Sequence, residues 1–434
     1  MSKEEYKAWR AKERNRLKRR AQKQRGLLRL KEEKALGPLF VVLRPFQIAR
    51  YSSPSVMRLG RFDASIDLKA AVGAFVGPTT QQGPVEECTL QWCTEQGYTI
   101  IEWDGRMPEV VTDCRGRILL VLAGRPPNDD TWDDSMGRAA IASEKAEGNA
   151  ISSAPPARGG PQMTIVRGVG IGEGTLGRFQ SAYLTGVVKS AVLSQHPQML
   201  RQHKKNIPAL QDIIRDEDVQ RVIGVGNSIL ATYAPKIYRE MVEKLTQIYD
   251  RDPTLERLFP KSVFPAQTAN LGPRTITSFH FDSKNKANGY IVLTSLGGFD
   301  PKKGGHLVLK SLKLVVEFPP GSTVLFLSSV IEHANTPVQL HERRMSLTQY
   351  AAGGLFRWVD YGFKTQAQME EDPDHAVTVE AKRKGAWRKA IEQISKVDEL
   401  GSDQEALIRW LKERRASYRR RDTMFYSVPD TVCA

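Results

Sequence analysis

His280 and Asp282 stand two residues apart at the end of the run Thr275–Phe281, His333 follows Asp282 by 51 residues, and Arg344 follows His333 by 11. On a strand, residues i and i+2 point to the same face, so one element can present both His280 and Asp282 to a common point. Two histidines and one carboxylate occupy three positions on one side of an octahedron and leave three open. That is the donor set of a mononuclear non-haem Fe(II) site, which meets O2 and a co-substrate at its open positions. The third ligand, His333, must arrive on a strand folded back across the first, as a jelly-roll barrel provides. The competing reading is a jelly-roll of the cupin type whose histidines are incidental.

The elements needed to position these residues can be read between them. Gly289–Leu296, His306–Leu309, Leu314–Phe318 and Thr323–Leu327 are short apolar or β-branched runs. Asp300–Gly305 and Pro319–Ser322 separate them with turn-forming residues. Along the last strand Arg344, Ser346 and Thr348 share one face, and Met345 and Leu347 the other. An arginine aimed into a barrel is unfavourable unless an anion meets it. A planar guanidinium grips a carboxylate with two parallel hydrogen bonds, so Arg344 with the Ser346 hydroxyl is the expected anchor for the distal carboxylate of 2-oxoglutarate. Arg343 falls on the opposite face and is the weaker candidate.

These stretches also carry a resemblance. The runs His280–Tyr290 (HFDSKNKANGY), Leu296–Val338 and Glu342–Phe363 resemble the fungal branch of the ten-eleven-translocation and J-binding-protein (TET/JBP) dioxygenases. The resemblance is close over about 167–364 and weaker upstream, at Trp103–Arg106 and Leu122–Pro126. It implies a double-stranded β-helix enzyme that oxidises 5-methylcytosine in DNA with Fe(II), O2 and 2-oxoglutarate. It assigns the iron to His280, Asp282 and His333, and the co-substrate to Arg344. Three residues after the metal aspartate, where the family contacts the flipped base, stands Asn285, whose amide offers both a donor and an acceptor to a cytosine edge. An ordinary turn or capping role is the alternative for Asn285. The chain departs from the family about eight residues beyond the arginine, where a base-contacting histidine is replaced by Ala351, Ala352 and Gly353. The smaller side chains enlarge the pocket and make N6-methyladenine a second candidate base.

The chain of 434 residues has a net charge of +15, unevenly placed. Residues 1–35 hold 14 Lys/Arg against 5 Asp/Glu, and residues 381–421 hold 13 against 6, which leaves the rest close to neutral. Two basic ends on a neutral body suit a polyanion, here double-stranded DNA carrying methylated bases. The equally weighted alternatives are a disordered solubilising arm at the start and a solvated helix face at the end. Four cysteines (Cys88, Cys93, Cys114 and Cys433) make no disulfide framework, and no spaced histidine completes a zinc site, so reduced structural thiols are expected. No apolar run reaches the ~18–20 residues of a membrane span. The charged N-terminus is unlike a signal peptide. Clusters such as Lys18–Arg20 and Arg419–Arg421 permit nuclear import, so a nuclear monomer without membrane attachment is expected.

The rest of the chain supplies supporting structure. Ser2–Lys34 reads as a charged helix and Leu36–Phe46 as a strand. Tyr98–Trp103, Pro108–Thr112 and Ile118–Leu122 read as strands of a small sheet that extends the barrel or packs against it. Residues 124–162 read as a loop with a short helical patch over 137–146, a candidate cover for the site. Arg167–Gly174 is glycine-rich but lacks the following βαβ unit, so it is a loop near the barrel mouth and no dinucleotide cradle. Ile207–Arg221 and Pro235–Tyr249 show helical periodicity, as do Val377–Val397 and Asp403–Arg421. The expected fold class is α+β, a double-stranded β-helix (jelly-roll) core flanked by helices with basic helical N- and C-terminal extensions. Its divisions are 1–35 (arm), 36–123 (α/β extension), 124–162 (insertion), 163–365 (dioxygenase core) and 366–434 (basic tail). The function so read is methyl-base oxidation, to 5-hydroxymethylcytosine or beyond. A protein hydroxylase and a non-catalytic DNA-binding relic of the same fold are the alternatives.

Overall fold

The computed structural model describes residues 54–79, 88–126, 129–151, 163–171, 196–200, 203–260, 262–365, 368–369, 371 and 385–425. The expected helix Ser2–Lys34 and strand Leu36–Phe46 lie outside these residues. In chain order the elements are β1 (Ser55–Arg58), α1 (Ala64–Asp67), α2 (Leu90–Glu95), β2 (Thr99–Ile101), β3 (Glu109–Thr112), β4 (Ile118–Gly124) and α3 (Trp132–Asn149). There follow β5 (Met163–Gly170), β6 (Gln198–Met199), α4 (Ile207–Arg215), α5 (Glu217–Tyr233), α6 (Pro235–Arg251) and β7 (Ala266–Gly272). Then come β8 (Ile291–Gly298), β9 (Leu307–Leu309), β10 (Leu314–Val316), β11 (Thr323–Phe326), β12 (His333–Asn335) and β13 (Arg343–Tyr350). The chain continues with α7 (Gly353–Asp360), α8 (Ala386–Ile391) and α9 (Leu400–Phe425).

The class is α+β, built on two sheets. Nine strands run in the order β1-β3-β4-β11-β8-β13-β7-β5-β6, and four in the order β12-β9-β10-β2. Pairing is antiparallel except at β1/β3 and β10/β2. β4, entirely apolar up to its final glycine and buried along its length, sits between β3 and β11 as a central strand. The large sheet has a helix-covered face, where Met345, Leu347, Leu296, Ala269 and Ile165 pack with residues of α3, α4 and α5. Along β13 the alternation therefore sends Met345 and Leu347 to the helices and Arg344 and Ser346 to the other face. That other face looks toward the small sheet, since the Phe326 ring of β11 meets the His333 ring of β12 edge-on at 4.9 Å.

Several expectations are corrected. Of the two placements expected for the strands before residue 124, extending the core sheets or packing against them, the first is found: β3 and β4 extend the nine-stranded sheet past β11, and β2 extends the four-stranded sheet past β10. Residues 132–149, expected to be mostly loop, form an 18-residue helix packed against the sheet, and Trp132 Nε1 donates to Gly321 O at 2.8 Å. Its buried stripe is Trp132, Ser135, Met136, Ala139, Ala140, Ser143 and Ala146, too small and polar to give a strong apolar period. α3 lies on the helix-covered face, opposite Arg344, so it is a packing element and no cover. The single helix expected over Ile207–Arg221 breaks at Asp216, whose carboxylate accepts from the Asp218 and Val219 amides and starts α5. In α6, Ile237, Met241, Leu245 and Ile248 are all buried, as their spacing implies. Arg167–Gly170 belongs to β5, and residues 172–174 of the glycine-rich run lie outside the described residues. In the tail, the described part of the helix expected over Val377–Val397 is the short α8, whereas α9 contains the one expected over Asp403–Arg421. The described residues up to Leu407 form one compact unit, and those from Ile408 onward belong to a second. No helix among the described residues is long and apolar enough to cross a membrane.

Candidate metal centre

Thr275–Phe281 is no regular strand. It pairs with β12 through one isolated bridge, in which His280 N donates to His333 O and His333 N to His280 O, both at 3.0 Å. Further back Asn335 N donates to Thr277 O at 3.2 Å, and the Asn335 Oδ1 atom accepts from Thr277 N at 2.9 Å and Thr277 Oγ1 at 2.8 Å. The two histidines are therefore direct cross-strand neighbours, with ring centroids 4.2 Å apart. Asp282 is fixed by its own amide, which donates to Ser328 O at 3.0 Å.

His280 Nε2 lies 3.8 Å from Asp282 Oδ1 and His333 Nε2 lies 4.0 Å from Asp282 Oδ2. The three ligand atoms all fall within 4.8 Å of one another. His280 Nδ1 reaches Ser278 O at 2.7 Å and His333 Nδ1 reaches Ile331 O at 2.9 Å. A carbonyl only accepts, so each Nδ1 carries the proton and each Nε2 turns a lone pair into the cluster. The side chains are 8 %, 11 % and 8 % exposed for His280, Asp282 and His333. Two neutral imidazoles and one carboxylate, mostly out of water, fit a divalent cation that accepts nitrogen and oxygen ligands.

Near this cluster stands a group of buried polar side chains, several of which have a polar atom without a partner among the described residues. Arg344 is fully buried; Nη1 donates to Thr275 O at 3.1 Å, Nε has no partner, and among the described residues no carboxylate pairs with it. Burial pulls its guanidinium down to about 10. His306 is also buried, and its Nδ1 meets Thr336 Oγ1 at 2.8 Å. That hydroxyl also accepts from His306 N at 3.0 Å, and its own proton can go to Nδ1. Among the described residues Nε2 has no hydrogen-bond partner. Burial, then the Arg344 charge, pulls the imidazole down to about 4, so it is neutral near pH 7. Thr275 Oγ1 and Ser295 Oγ are likewise without partners. Ser346 stands opposite Ser295 in the β8/β13 register, and its hydroxyl accepts from Asn270 Nδ2 at 2.9 Å. A buried guanidinium with donors around it and no counter-charge is a built seat for a carboxylate. Arg343 points the other way and forms ion pairs with Glu144 at 2.8 Å and Glu147 at 2.9 Å on α3.

Asn285 is buried, and its amide donates to Asp282 O at 2.8 Å, so both stand on one turn. It forms an isolated bridge with Ala352, and its Nδ2 lies 3.4 Å from Ser328 Oγ. The residue expected to touch the base and the small residue in place of a histidine are thus opposite each other. The next residue, Lys286, is buried and pairs with Glu240 of α6 at 3.0 Å, which ties the turn to the helix layer. Burial lowers the Lys286 ammonium, with the Glu240 charge opposing.

The structure brings all six sequence-derived residues into this region. It adds His306, Thr275 and Ser295, which sequence reasoning passed over as strand or turn residues. The available signal was His306 itself, a histidine heading the aliphatic run Leu307–Leu309.

No family model matches the sequence, and no curated protein matches it. Among solved structures, NgTET1 in complex with 5mC DNA is 13 % identical, at a TM-score of 0.40, with 61 % of this chain and 88 % of that chain covered. An oxidoreductase of the 2OG-Fe(II) oxygenase family from Burkholderia pseudomallei is 17 % identical, at a TM-score of 0.24, covering 48 % and 76 %. The viral collagen prolyl hydroxylase of Paramecium Bursaria Chlorella virus-1 with 2OG is 12 % identical, at 0.17, covering 45 % and 98 %. Overlaps of this size leave the site geometry to stand on its own.

Proposed function

We propose that this chain is an Fe(II)- and 2-oxoglutarate-dependent dioxygenase of the TET/JBP kind that oxidises 5-methylcytosine in DNA. The two sheets are then the faces of a double-stranded β-helix. The observation that carries the reading is the juxtaposition of the His280–Asp282–His333 cluster with the buried, unpaired Arg344. His280, Asp282 and His333 would hold the iron. Arg344, with His306, Ser346 and Ser295 around it, would hold the distal carboxylate of 2-oxoglutarate. Bound iron, with O2 and 2-oxoglutarate, supplies the oxidising equivalent that hydroxylates a methyl group. The protein's part is placement and the exclusion of water.

A methyl inside a duplex is out of reach, so the base must leave the stack at a cost of a few kcal/mol. The basic ends favour DNA as the polymer that offsets this cost. Asn285 would read the base edge beside Asp282, and Ala352 opposite it leaves room. That room favours a second substrate, N6-methyladenine, whose purine ring is larger.

The test is nucleoside mass spectrometry of duplexes carrying either base, incubated with Fe(II), 2-oxoglutarate and wild type or Asp282→Ala. Oxidised cytosine formed by wild type alone supports the proposal, and loss of the N6-methyl group extends it. Turnover of 2-oxoglutarate with neither base changed would move the substrate to protein. No turnover at all would leave a DNA-binding relic.

A further inference from the structure

Cys88 and Cys93 were expected to be inert structural thiols, but their sulfurs are in contact at 3.5 Å. With Thr89 as N-cap, they occupy the positions just before α2 and in its first turn that often hold a packed pair. What sets this pair apart is where α2 lies. The Trp92 ring meets the Phe279 ring at 5.7 Å, and Phe279 precedes His280. Both cysteines also pack with Val308, Val315 and Ala334 on the small sheet, and Ala334 follows His333. Two separate packing paths thus run from the thiols to the two histidines of the metal cluster.

We propose that Cys88 and Cys93 are a dithiol site for a two-electron oxidant of the hydroperoxide class, and that closing the disulfide weakens metal binding at His280 and His333. One sulfur, as thiolate, attacks a peroxide oxygen; the O–O bond breaks, leaving a sulfenic acid and hydroxide, which takes up the thiolate's proton as water. The second sulfur then displaces the sulfenic oxygen, which leaves with that thiol's proton as a second water. Two thiols and one hydrogen peroxide become one disulfide and two waters. The hydrogen bond from Cys88 holds the Cys93 thiol below its ordinary range against burial, with the Lys313 charge assisting. Bond formation brings the sulfurs ~1.5 Å closer, since a disulfide spans ~2.05 Å. α2 and its Trp92 must move with them, and Phe279 follows.

The experiment uses the full-length apoprotein, treated anaerobically with one equivalent of hydrogen peroxide. Trypsin releases Ala70–Arg106, which holds both Cys88 and Cys93 and no other cysteine. That peptide should lose the mass of two hydrogens and regain it with dithiothreitol. Calorimetry with Mn(II) should show about tenfold weaker binding to the oxidised protein, the scale on which supporting residues tune a metal site, and recovery on reduction. Cys114→Ser should behave as wild type and Cys93→Ser should show neither effect. The oxidised and reduced wild-type forms decide the matter even if Cys93→Ser fails to fold. A peptide that stays fully alkylatable overturns the proposal, and so does a disulfide with unchanged Mn(II) affinity.

Discussion

Arg344 is held where its charge is least comfortable, under the sheet with one carbonyl partner and an unsatisfied Nε. Without an anion, that arrangement works against the folded state. Arg344→Met should therefore leave the apoprotein's Tm unchanged or raise it. The same change should abolish the stabilisation that 2-oxoglutarate gives wild type, about 2.7 kcal/mol at a hundredfold excess over Kd. Thermal melts with and without 2-oxoglutarate check both halves, and a retained ligand shift would remove Arg344 from the anion seat. His306 gives a pH signature. Its folded value, about 4, lies below the ordinary 6.5. The unfolded chain therefore binds a proton first as pH falls, and stability drops between about 6.5 and 4, then levels off. The full difference is ~3 kcal/mol at 1.36 kcal/mol per pKa unit. His306→Gln should flatten that part of the stability profile measured by urea unfolding. An unchanged slope would mean that other groups set it.

At the scale of elements, Asp216 is the joint between α4 and α5, and its carboxylate caps two amides of the second helix. Asp216→Ala should lower stability by about 1 kcal/mol in urea unfolding without changing metal affinity. Gly353 is under a different constraint, because a Cβ there would run into the Phe75 carbonyl. Gly353→Ala must push Phe75 away from the Asn285–Ala352 bridge, so it should reduce turnover of methylated DNA more than uncoupled turnover of 2-oxoglutarate. Equal losses in the two assays would place the defect at the metal instead. The strands β8 to β11 were legible because their apolar runs are bounded by Gly and Pro turns. Arg344 and Ser346 were legible because alternation put them opposite Met345 and Leu347. β7 was not, since Ala266–Gly272 mixes Gln, Asn and Gly and takes its conformation from β13 and β5 on either side. α3 was read only as a short patch over 137–146 because Ala and Ser pack as closely as Leu without giving an apolar period. His306 escaped because the property that marks it, a ring nitrogen left without a partner beside Arg344, exists only once the strands are assembled.

Over the whole molecule the charge is segregated, with the +15 concentrated in residues 1–35 and 381–421 and a body near neutrality. Such a distribution separates two tasks by their physics. On the proposed function, contact with phosphates would release counterions and fade with salt, whereas reading of a base by Asn285 would depend on shape and hydrogen bonds that salt hardly touches. Replacing Lys18, Arg19 and Arg20 together with Gln removes three charges from the first basic segment. If those three contact phosphates, the plot of log affinity for duplex DNA against log salt should lose up to ~2.7 units of slope, at ~0.9 per phosphate contact. Affinity should then fall most at low salt, and the preference for methylated over unmethylated duplex should stay the same at every salt concentration. The same replacement should leave turnover of a methylated single nucleotide unaltered, because that substrate brings no run of duplex phosphates for the segment to hold. A slope equal to wild type would show that this basic end does not meet the duplex. A changed methyl preference would show that it contributes to reading the base, and the separation between affinity and recognition would have to be abandoned.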